Sequence, residues 1–254
     1  MHAWPDKYDV LGVKVSATDY DELSEMVIQA AREHVAGTVT ALAVHGLVTA
    51  SLNAPFGAKI NSFDAVSPDG QPVRWALKWL HGIRLNDRVY GPFLMLRLCE
   101  RAANSGMGVY LYGSYPSVVE ALKENLLRQF PGIRIVGSEP SAFRPLLPAE
   151  DMALVERINS SGASLVFLGL GCPVQEEFAY DHRSKIRAIQ ICVGAAFDFH
   201  AGNKKMAPSW MQAKGLEWLY RLLQEPKRLW RRYLITNSLF LLKVLLQKTN
   251  QRKI

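Results

Sequence analysis

The sequence has little that would indicate a disulfide-linked or metal-binding protein. Its 254 residues include three cysteines, Cys99, Cys172 and Cys192, which are scattered and form no CxxC pair. An odd number of separated cysteines predicts reduced thiols, as in a cytoplasmic protein. The six histidines show no HExxH or other metal-ligand spacing. We therefore predict no structural metal.

Long apolar runs are also missing, and the first residues do not follow the pattern of a leader segment. No stretch of about 18 uncharged apolar residues occurs, so no membrane-spanning helix is predicted. The first ten residues, MHAWPDKYDV, contain no basic segment followed by an apolar core, and we expect no signal peptide. With 49% hydrophobic and 21% charged residues, the composition is that of a globular protein with a substantial core.

Positive charge is concentrated at the C-terminus. Residues 204–254 contain twelve basic and two acidic residues, a net charge of +10, which leaves −3 for residues 1–203 of the total of +7. A basic tail on an acidic body predicts an anionic partner for the tail, namely a membrane surface, a nucleic acid or a phosphate-bearing substrate.

Up to about residue 200, short apolar runs alternate with amphipathic stretches. Helices are expected at about 21–33, 91–104, 117–130, 148–160 and 173–185. The predicted strands are DVLGVKV, TVTALAV, FDAVS, GVYLYG, IRIVG, SLVFLGLG and IQICVGAAF. This alternation predicts an α/β fold with a mostly parallel sheet flanked by helices. The composition changes after residue 203, so we predict one domain over 1–203 and a helical C-terminal appendage over 204–254.

Several glycine-bearing turns follow the predicted strands, at the sheet edge where α/β proteins bind ligands. In VSPDGQ, Asp69 follows a strand directly. Pro-Asp-Gly is a strong turn signal whatever the function. The residues alone leave open whether Asp69 is only a turn residue or an acid with a chemical role.

The stretch GLGCPVQEEF follows another predicted strand and precedes a helix. Gly169 and Gly171 would let backbone amides approach a phosphate at the helix N-terminus, and Gln175 could add a hydrogen bond. The spacing matches neither a Walker P-loop nor GxGxxG, so a plain strand-to-helix turn is an equal alternative. Arg88, in RVYGP, is suited to bind a diphosphate with two hydrogen bonds, although most single arginines only lie at the surface.

Two further pairs of polar residues invite a functional interpretation. Asp19 and Asp21 form the one DxD in the chain, but they stand where a helix should begin, and N-capping is the favoured interpretation. Asp198 and His200, in GAAFDFHAG, would share one face of an extended segment. They would then bind the polar edge of a base or sugar, or Asp198 would simply satisfy nearby backbone amides.

The tail pattern predicts helices, the second beginning at Pro226. Leu229, Tyr233, Phe240 and Val244 recur at helical spacing, and four basic residues interleave: Arg228, Arg231, Arg232 and Lys243. This pattern fits an interfacial helix on an anionic membrane. It fits equally a helix that packs on the main domain and keeps its basic face in solvent.

Taken together and in this order, VSPDGQPV, RVYGP, YGS, GLGCPVQEEF, VGAAFDFHAG and GLEWLYRLLQEPKRLWRRYL resemble the WecG/TagA/CpsF glycosyltransferases. The resemblance runs from about residue 8 to residue 240. It implies a Rossmann-like catalytic domain that inverts the anomeric centre of a UDP-sugar donor without a metal or other cofactor. The implied acceptor is a sugar linked through diphosphate to undecaprenyl, so we expect a cytoplasmic protein bound peripherally to the inner face of the bacterial cytoplasmic membrane.

The resemblance also assigns roles to residues. Asp69 is implied as the catalytic base, with Arg88 and Gln175 as further catalytic residues. Donor-binding positions are expected at Gly113, Ser114, Gly169, Gly171, Gln175, Asp198 and His45. The acceptor diphosphate and the anionic membrane surface are expected to meet Arg221, Arg228, Arg231 and Arg232.

One motif departs from the family pattern. Many members carry Thr-x-Asn near the end of the second strand, whereas here Ala43 stands at the asparagine position and His45 follows two residues later. This indicates an exopolysaccharide-type subfamily, in which the donor is an N-acetylmannosamine-type sugar or a hexose such as glucose.

A nucleic-acid-binding protein is a less favoured alternative, because the tail is rich in leucine. A dinucleotide-dependent oxidoreductase is disfavoured by the lack of GxGxxG. Self-association is left open.

Overall fold

The computed structural model describes residues 3–251, except for the side chains of Ser209, Ala213, Arg228 and Arg232. Its centre is a six-stranded sheet in which every neighbouring pair is parallel, in the spatial order β4-β3-β8-β7-β5-β6. The strands are β3 (Gly37–Leu42), β4 (Ala65–Pro68), β5 (Gly108–Gly113), β6 (Arg134–Glu139), β7 (Ala163–Gly169) and β8 (Ile189–Cys192). The predicted α/β class is confirmed.

Helices cover both faces of this sheet. They are α1 (Tyr20–Arg32), α2 (Val44–Leu52), α3 (Ala54–Asn61), α4 (Gln71–His81), α5 (Gly91–Asn104), α6 (Pro116–Gln129), α7 (Pro148–Ser160), α8 (Val174–His182), α9 (Ala196–His200), α10 (Ser209–Ala213), α11 (Glu217–Gln224) and α12 (Pro226–Gln251). Alternate strand residues face opposite cores: Leu165 and Phe167 pack on one side, and Val166 and Leu168 on the other. Two buried apolar layers therefore hold the sheet between α1, α5, α6 and α9 on one side and α2, α3, α4, α7 and α8 on the other.

The predicted strand DVLGVKV is wrong as a single strand. The structure has an antiparallel hairpin of β1 (Lys7–Val10) and β2 (Val13–Ser16) instead. The two-residue turn has positive φ at both Leu11 (58°) and Gly12 (83°), the conformation that matches the twist of a tight hairpin. Leucine is an unusual residue there, and the apolar pattern continues through the turn, which hides it in the sequence.

Two predictions about helix starts are confirmed. The side chain of Asp19 accepts a hydrogen bond from the backbone N–H of Glu22 at 2.9 Å, as an N-cap residue does. The second tail helix begins at Pro226, where a missing N–H costs no intrahelical hydrogen bond.

The last helix packs on the main body of the chain. Leu229, Phe240 and Val244 are buried, and the last two belong to the same core layer as α2 and α4. At its far end, the backbone N–H of Leu11 donates to Gln247 Oε1 at 2.8 Å. The apolar stripe seen in the sequence thus faces the protein. A domain boundary at residues 203 and 204 stays a prediction.

Candidate active site

The site lies at the carboxyl ends of the sheet strands, where the start of α5 comes close to three of them. An added Cβ on Gly91 would lie 3.3 Å from Ala41 Cβ in β3, 3.4 Å from the carbonyl oxygen of Val193 after β8, and 3.7 Å from Asp69 Oδ2 after β4. The first residue of α5 must therefore be small. This close approach places a helix N-terminus, with the backbone N–H of Gly91, beside Asp69.

Asp69 lies in a tight turn between β4 and α4. Its backbone N–H donates to the carbonyl of Ser67 at 2.9 Å, and Gly70 has φ of 102°, a conformation that glycine adopts at little cost. The side chain lies toward α5, with Oδ2 3.5 Å from the backbone N of Gly91. Pro68 and Gly70 can thus shape the turn while Asp69 directs a carboxylate toward the start of α5, so the two interpretations of VSPDGQ are compatible.

The carboxyl group of Asp69 is partly exposed, but enough protein surrounds it to change its acidity. Burial raises the pKa of Asp69 to about 7, and the negative charge of Glu217 raises it further in the same direction. Arg88, the Gly91 N–H and Arg221 act against this increase. A carboxylate with a pKa near the working pH is suited to take up a proton during a reaction.

Arg88 is held by a buried ion pair with Glu217 of α11. Both side chains are only 8% exposed, and the guanidinium carbon of Arg88 lies 4.5 Å from the centre of the Tyr90 ring. The segment is tied to the Asp69 turn, because the N–H of Val89 donates to the carbonyl of Pro68 at 3.1 Å. Glu217 lies in a stretch that resembles the family but receives no role from it, and the sequence does not reveal its partner, which lies 129 residues away.

Helix α11 brings a second cation to the site. Arg221 follows Glu217 by one helical turn and interacts electrostatically with both Tyr90 and Asp69. Its guanidinium carbon lies 5.8 Å from the centre of the Phe199 ring. Of the four tail arginines predicted to meet the acceptor, Arg221 therefore lies at the site and Arg231 is exposed on α12. The other two predictions, Arg228 and Arg232, concern side chains outside the described part of the chain.

The CPVQ turn is stabilised from within. Gln175 is 3% exposed, and its Oε1 accepts from the N–H of Gly171 at 3.2 Å while its Nε2 donates to Glu176 Oε1 at 2.8 Å. The hydroxyl of Thr40 in β3 donates to the same Glu176 oxygen at 3.0 Å. The amides of Gly171 and Gln175, expected to face a phosphate, are instead engaged with the protein in this structure. Catalysis by Gln175 stays a prediction.

The other expected donor-binding residues lie along the same edge. Gly113 and Gly169 pair at the ends of β5 and β7, and a Cβ on Gly113 would lie 2.5 Å from the carbonyl carbon of Gly169. The N–H of Ser114 donates to the carbonyl of Gly169 at 3.1 Å. His45 lies in the first turn of α2, next to the end of β3 and the exposed Ala43. Binding of a donor by these residues stays a prediction.

The prediction of an extended segment at Asp198 and His200 is wrong. Both residues belong to the short helix α9, so they do not share a face as alternate residues of a strand do. His200 Nε2 lies 2.9 Å from the carbonyl oxygen of Pro92, and Asp198 forms an ion pair with Lys204 at 3.5 Å. The apolar run IQICVGAAF continues past the end of β8, which made the helix look like strand.

Over residues 3–251, no three His, Cys, Asp or Glu side chains are grouped so as to hold a metal ion. Arg88 and Arg221 are cations whose charges act on the Asp69 carboxyl and lower its pKa.

This arrangement can be compared with known protein families. Residues 8–254 match the model described as the Glycosyl transferase WecG/TagA/CpsF family. The match includes the whole of α11 and the described length of α12, and it extends beyond residue 240, where the resemblance in the motifs ends.

Proposed function

The chain belongs to the WecG/TagA/CpsF family of glycosyltransferases, which act in cell-surface polymer synthesis, and we propose that it transfers a sugar from a UDP-sugar to a sugar held on a polyprenyl diphosphate. The observation that carries the proposal is the cluster of Asp69, Arg88 and Arg221 at the carboxyl edge of the sheet. It combines a carboxylate whose pKa is about 7 with two cations.

In the proposed reaction, a hydroxyl oxygen of the acceptor sugar forms a bond to the anomeric carbon of the donor. The bond from that carbon to UDP breaks, and its electron pair leaves with the diphosphate. The hydroxyl proton passes to the Asp69 carboxylate. Attack opposite the leaving group inverts the anomeric centre. A positioned base of this kind accelerates proton transfer by about 10²–10⁴-fold.

The diphosphate gains negative charge as it leaves, and preorganised cations stabilise such charge most effectively in a site with little water. Arg88 and Arg221 are already held beside Asp69. Guanidinium groups suit this role, because they bind phosphate oxygens through paired hydrogen bonds. In our proposal these two arginines supply the stabilisation, and no metal or other cofactor takes part.

The outer face of α12 supports a peripheral location on a membrane. Six apolar side chains there are between 48% and 64% exposed, and we call them the apolar face: Leu234, Ile235, Leu241, Leu242, Leu245 and Leu246. They lie opposite the buried Phe240 and Val244. Lys227 and Arg231 are exposed nearer the start of the helix. A helix of this kind is suited to lie in the surface of an anionic bilayer.

Exposed tryptophans lie on α4, next to the active site, and in the tail helices. Trp75 and Trp79 are one turn apart on α4, which begins directly after the Asp69 turn and packs against α12. Further exposed tryptophans lie in the tail helices, at Trp210, Trp218 and Trp230. Tryptophan is enriched where protein meets the headgroup region of a bilayer. Such a surface favours a membrane over a nucleic acid as the partner of the basic tail. In the structure described for residues 3–251, no helix is long and apolar enough to span a bilayer.

The donor sugar is either of the N-acetylmannosamine type or a hexose such as glucose. Ala43 precedes α2 and offers no side-chain cap to it, so the end of β3 presents a small side chain next to His45. We expect wild-type protein to add one sugar from one of these UDP donors to an undecaprenyl-diphosphate-linked sugar, and mass spectrometry of the lipid distinguishes the two classes by the mass gained. No mass gain with any UDP-sugar would contradict the proposed donor class.

A further inference from the structure

We propose that Glu217 is a positioning residue of this active site, which holds Arg88 in place and sets the charge that Asp69 experiences. The inference rests on the proposed role of Asp69 as the base. It assigns a function to a tail residue to which the family resemblance gives no role, and it makes the tail helix α11 part of the catalytic centre.

The first support is the geometry of the ion pair. Glu217 Oε2 accepts from Nη2 of Arg88, and each side chain is 8% exposed. Breaking a buried ion pair by removing one partner is strongly unfavourable, because it leaves the other charge without compensation. Each residue therefore restricts the other, and the Arg88 guanidinium is confined to its place over the Tyr90 ring.

The second support is that α11 is anchored next to the Asp69 turn. An added Cβ on Gly215, two residues before Glu217, would lie 3.1 Å from Gln71 Cγ and 3.7 Å from the Trp75 ring. Gln71 is the first residue of α4 and begins the helix directly after Gly70. The start of α11 is thus packed on the same short segment that carries Asp69, which fixes Glu217 relative to the carboxylate.

The third support is the set of groups that face Asp69. Arg88, Tyr90 and the Gly91 N–H come from the segment that leads into α5, Tyr20 from α1, and Glu217 and Arg221 from α11. Among them, Glu217 is the negative charge that raises the pKa of Asp69, while both arginines lower it. Without the Glu217 charge, burial alone would oppose the two arginines and the Gly91 N–H, and the pKa of Asp69 would fall. A weaker base accelerates proton transfer less.

The test is the Glu217→Gln variant of the full chain, which removes the charge but keeps an oxygen that accepts from Arg88. We expect the pKa of Asp69 to fall by about one unit, a typical effect of a nearby charge. The pKa is followed by NMR titration of the Asp69 carboxyl carbon, assigned by its loss in Asp69→Asn. In the transfer assay, the lower limb of the pH profile of kcat/KM should move by the same amount.

The matched control is Glu225→Gln, an acid of the same tail that pairs with Lys204 at 3.2 Å. It is expected to leave the Asp69 titration where it is in wild type. An unchanged Asp69 pKa in Glu217→Gln, or an equal change in both variants, would overturn the inference. If Glu217→Gln does not fold, the Glu217→Asp variant is measured in its place. Its side chain is one methylene shorter, which moves the charge back and should lower the Asp69 pKa by a smaller amount. An unchanged pKa in this variant would overturn the inference.

Because the NMR titration needs no substrate, this test is separate from the proposed function. A shift of the Asp69 pKa in a protein that transfers no sugar would support the coupling and contradict the function. Sugar transfer by the wild type together with an unshifted Asp69 pKa in Glu217→Gln would support the function and contradict the coupling.

Discussion

Asp69→Asn is expected to lower the rate of sugar transfer by about 10²–10⁴-fold, the contribution typical of a positioned general base. The amide cannot accept the hydroxyl proton, but it has nearly the same shape as the carboxylate. UDP binding, measured by calorimetry, should therefore stay close to wild type. Asp181→Asn is the matched control, since Asp181 is an exposed acid paired with Lys59 at 3.2 Å. It should keep full activity.

The same variant is expected to be more stable than wild type above pH 7. The pKa of Asp69 is raised in the folded protein from 3.8 to about 7, so the fold loses stability as pH rises through that range and this carboxyl ionises. Asparagine carries no charge at this position. The melting temperature of the Asp69→Asn variant should therefore exceed that of wild type at pH 8. Lost activity together with lost stability would instead indicate damage to the fold, and near-wild-type transfer would remove Asp69 from the mechanism.

Replacing four leucines of the apolar face, Leu234, Leu241, Leu242 and Leu245, by glutamine is expected to lower binding to anionic liposomes by about 10³-fold or more. Burying one leucine side chain is worth about 1.5–3 kcal/mol, so a loss of only about 4 kcal/mol from all four leucines together already weakens binding about 10³-fold. Flotation with liposomes of an anionic lipid measures the effect. Transfer to a bilayer-embedded acceptor should fall with it.

The control for this variant replaces other exposed apolar residues: Leu127 on α6, Leu147 in the segment before α7 and Met152 on α7. Full liposome binding by the four-leucine variant would contradict the membrane role of the apolar face. Truncation after residue 203 is a poorer test, because it would also uncover the core residues that pack against Phe240 and Val244 and remove Glu217 from Arg88.

The periodic parts of the fold could be predicted from the sequence, because alternating strands and helices leave a direct trace in apolar spacing. The helices at 91–104 and 148–160 were expected with the bounds that the structure has. Failures occurred where the apolar pattern continued through a change of structure. Leu11 and Gly12 hide a hairpin turn, and the run after Cys192 hides the helix that contains Asp198.

The site was predictable only in part. Asp69 stands in a motif at a strand end and Arg88 in a motif just before α5, and the resemblance to a family implies their roles. The contacts of Glu217 with Arg88 and of Glu176 with Thr40 join residues that are 129 and 136 positions apart in the sequence. A local sequence pattern cannot predict such pairs. The tail stripe of Leu229, Phe240 and Val244 was recognised, but only the structure shows that it faces the core and leaves a second apolar side exposed.

The most direct test of Asp69 as the base is the pH dependence of kcat/KM for wild-type transfer, from about pH 5 to about pH 9. Because the base must be ionised to accept a proton, the rate should rise tenfold per pH unit at low pH and level off above a single ionisation at about 7, the raised pKa of Asp69. A rate that is constant over the whole range, or that falls as pH rises through 7, would contradict the mechanism.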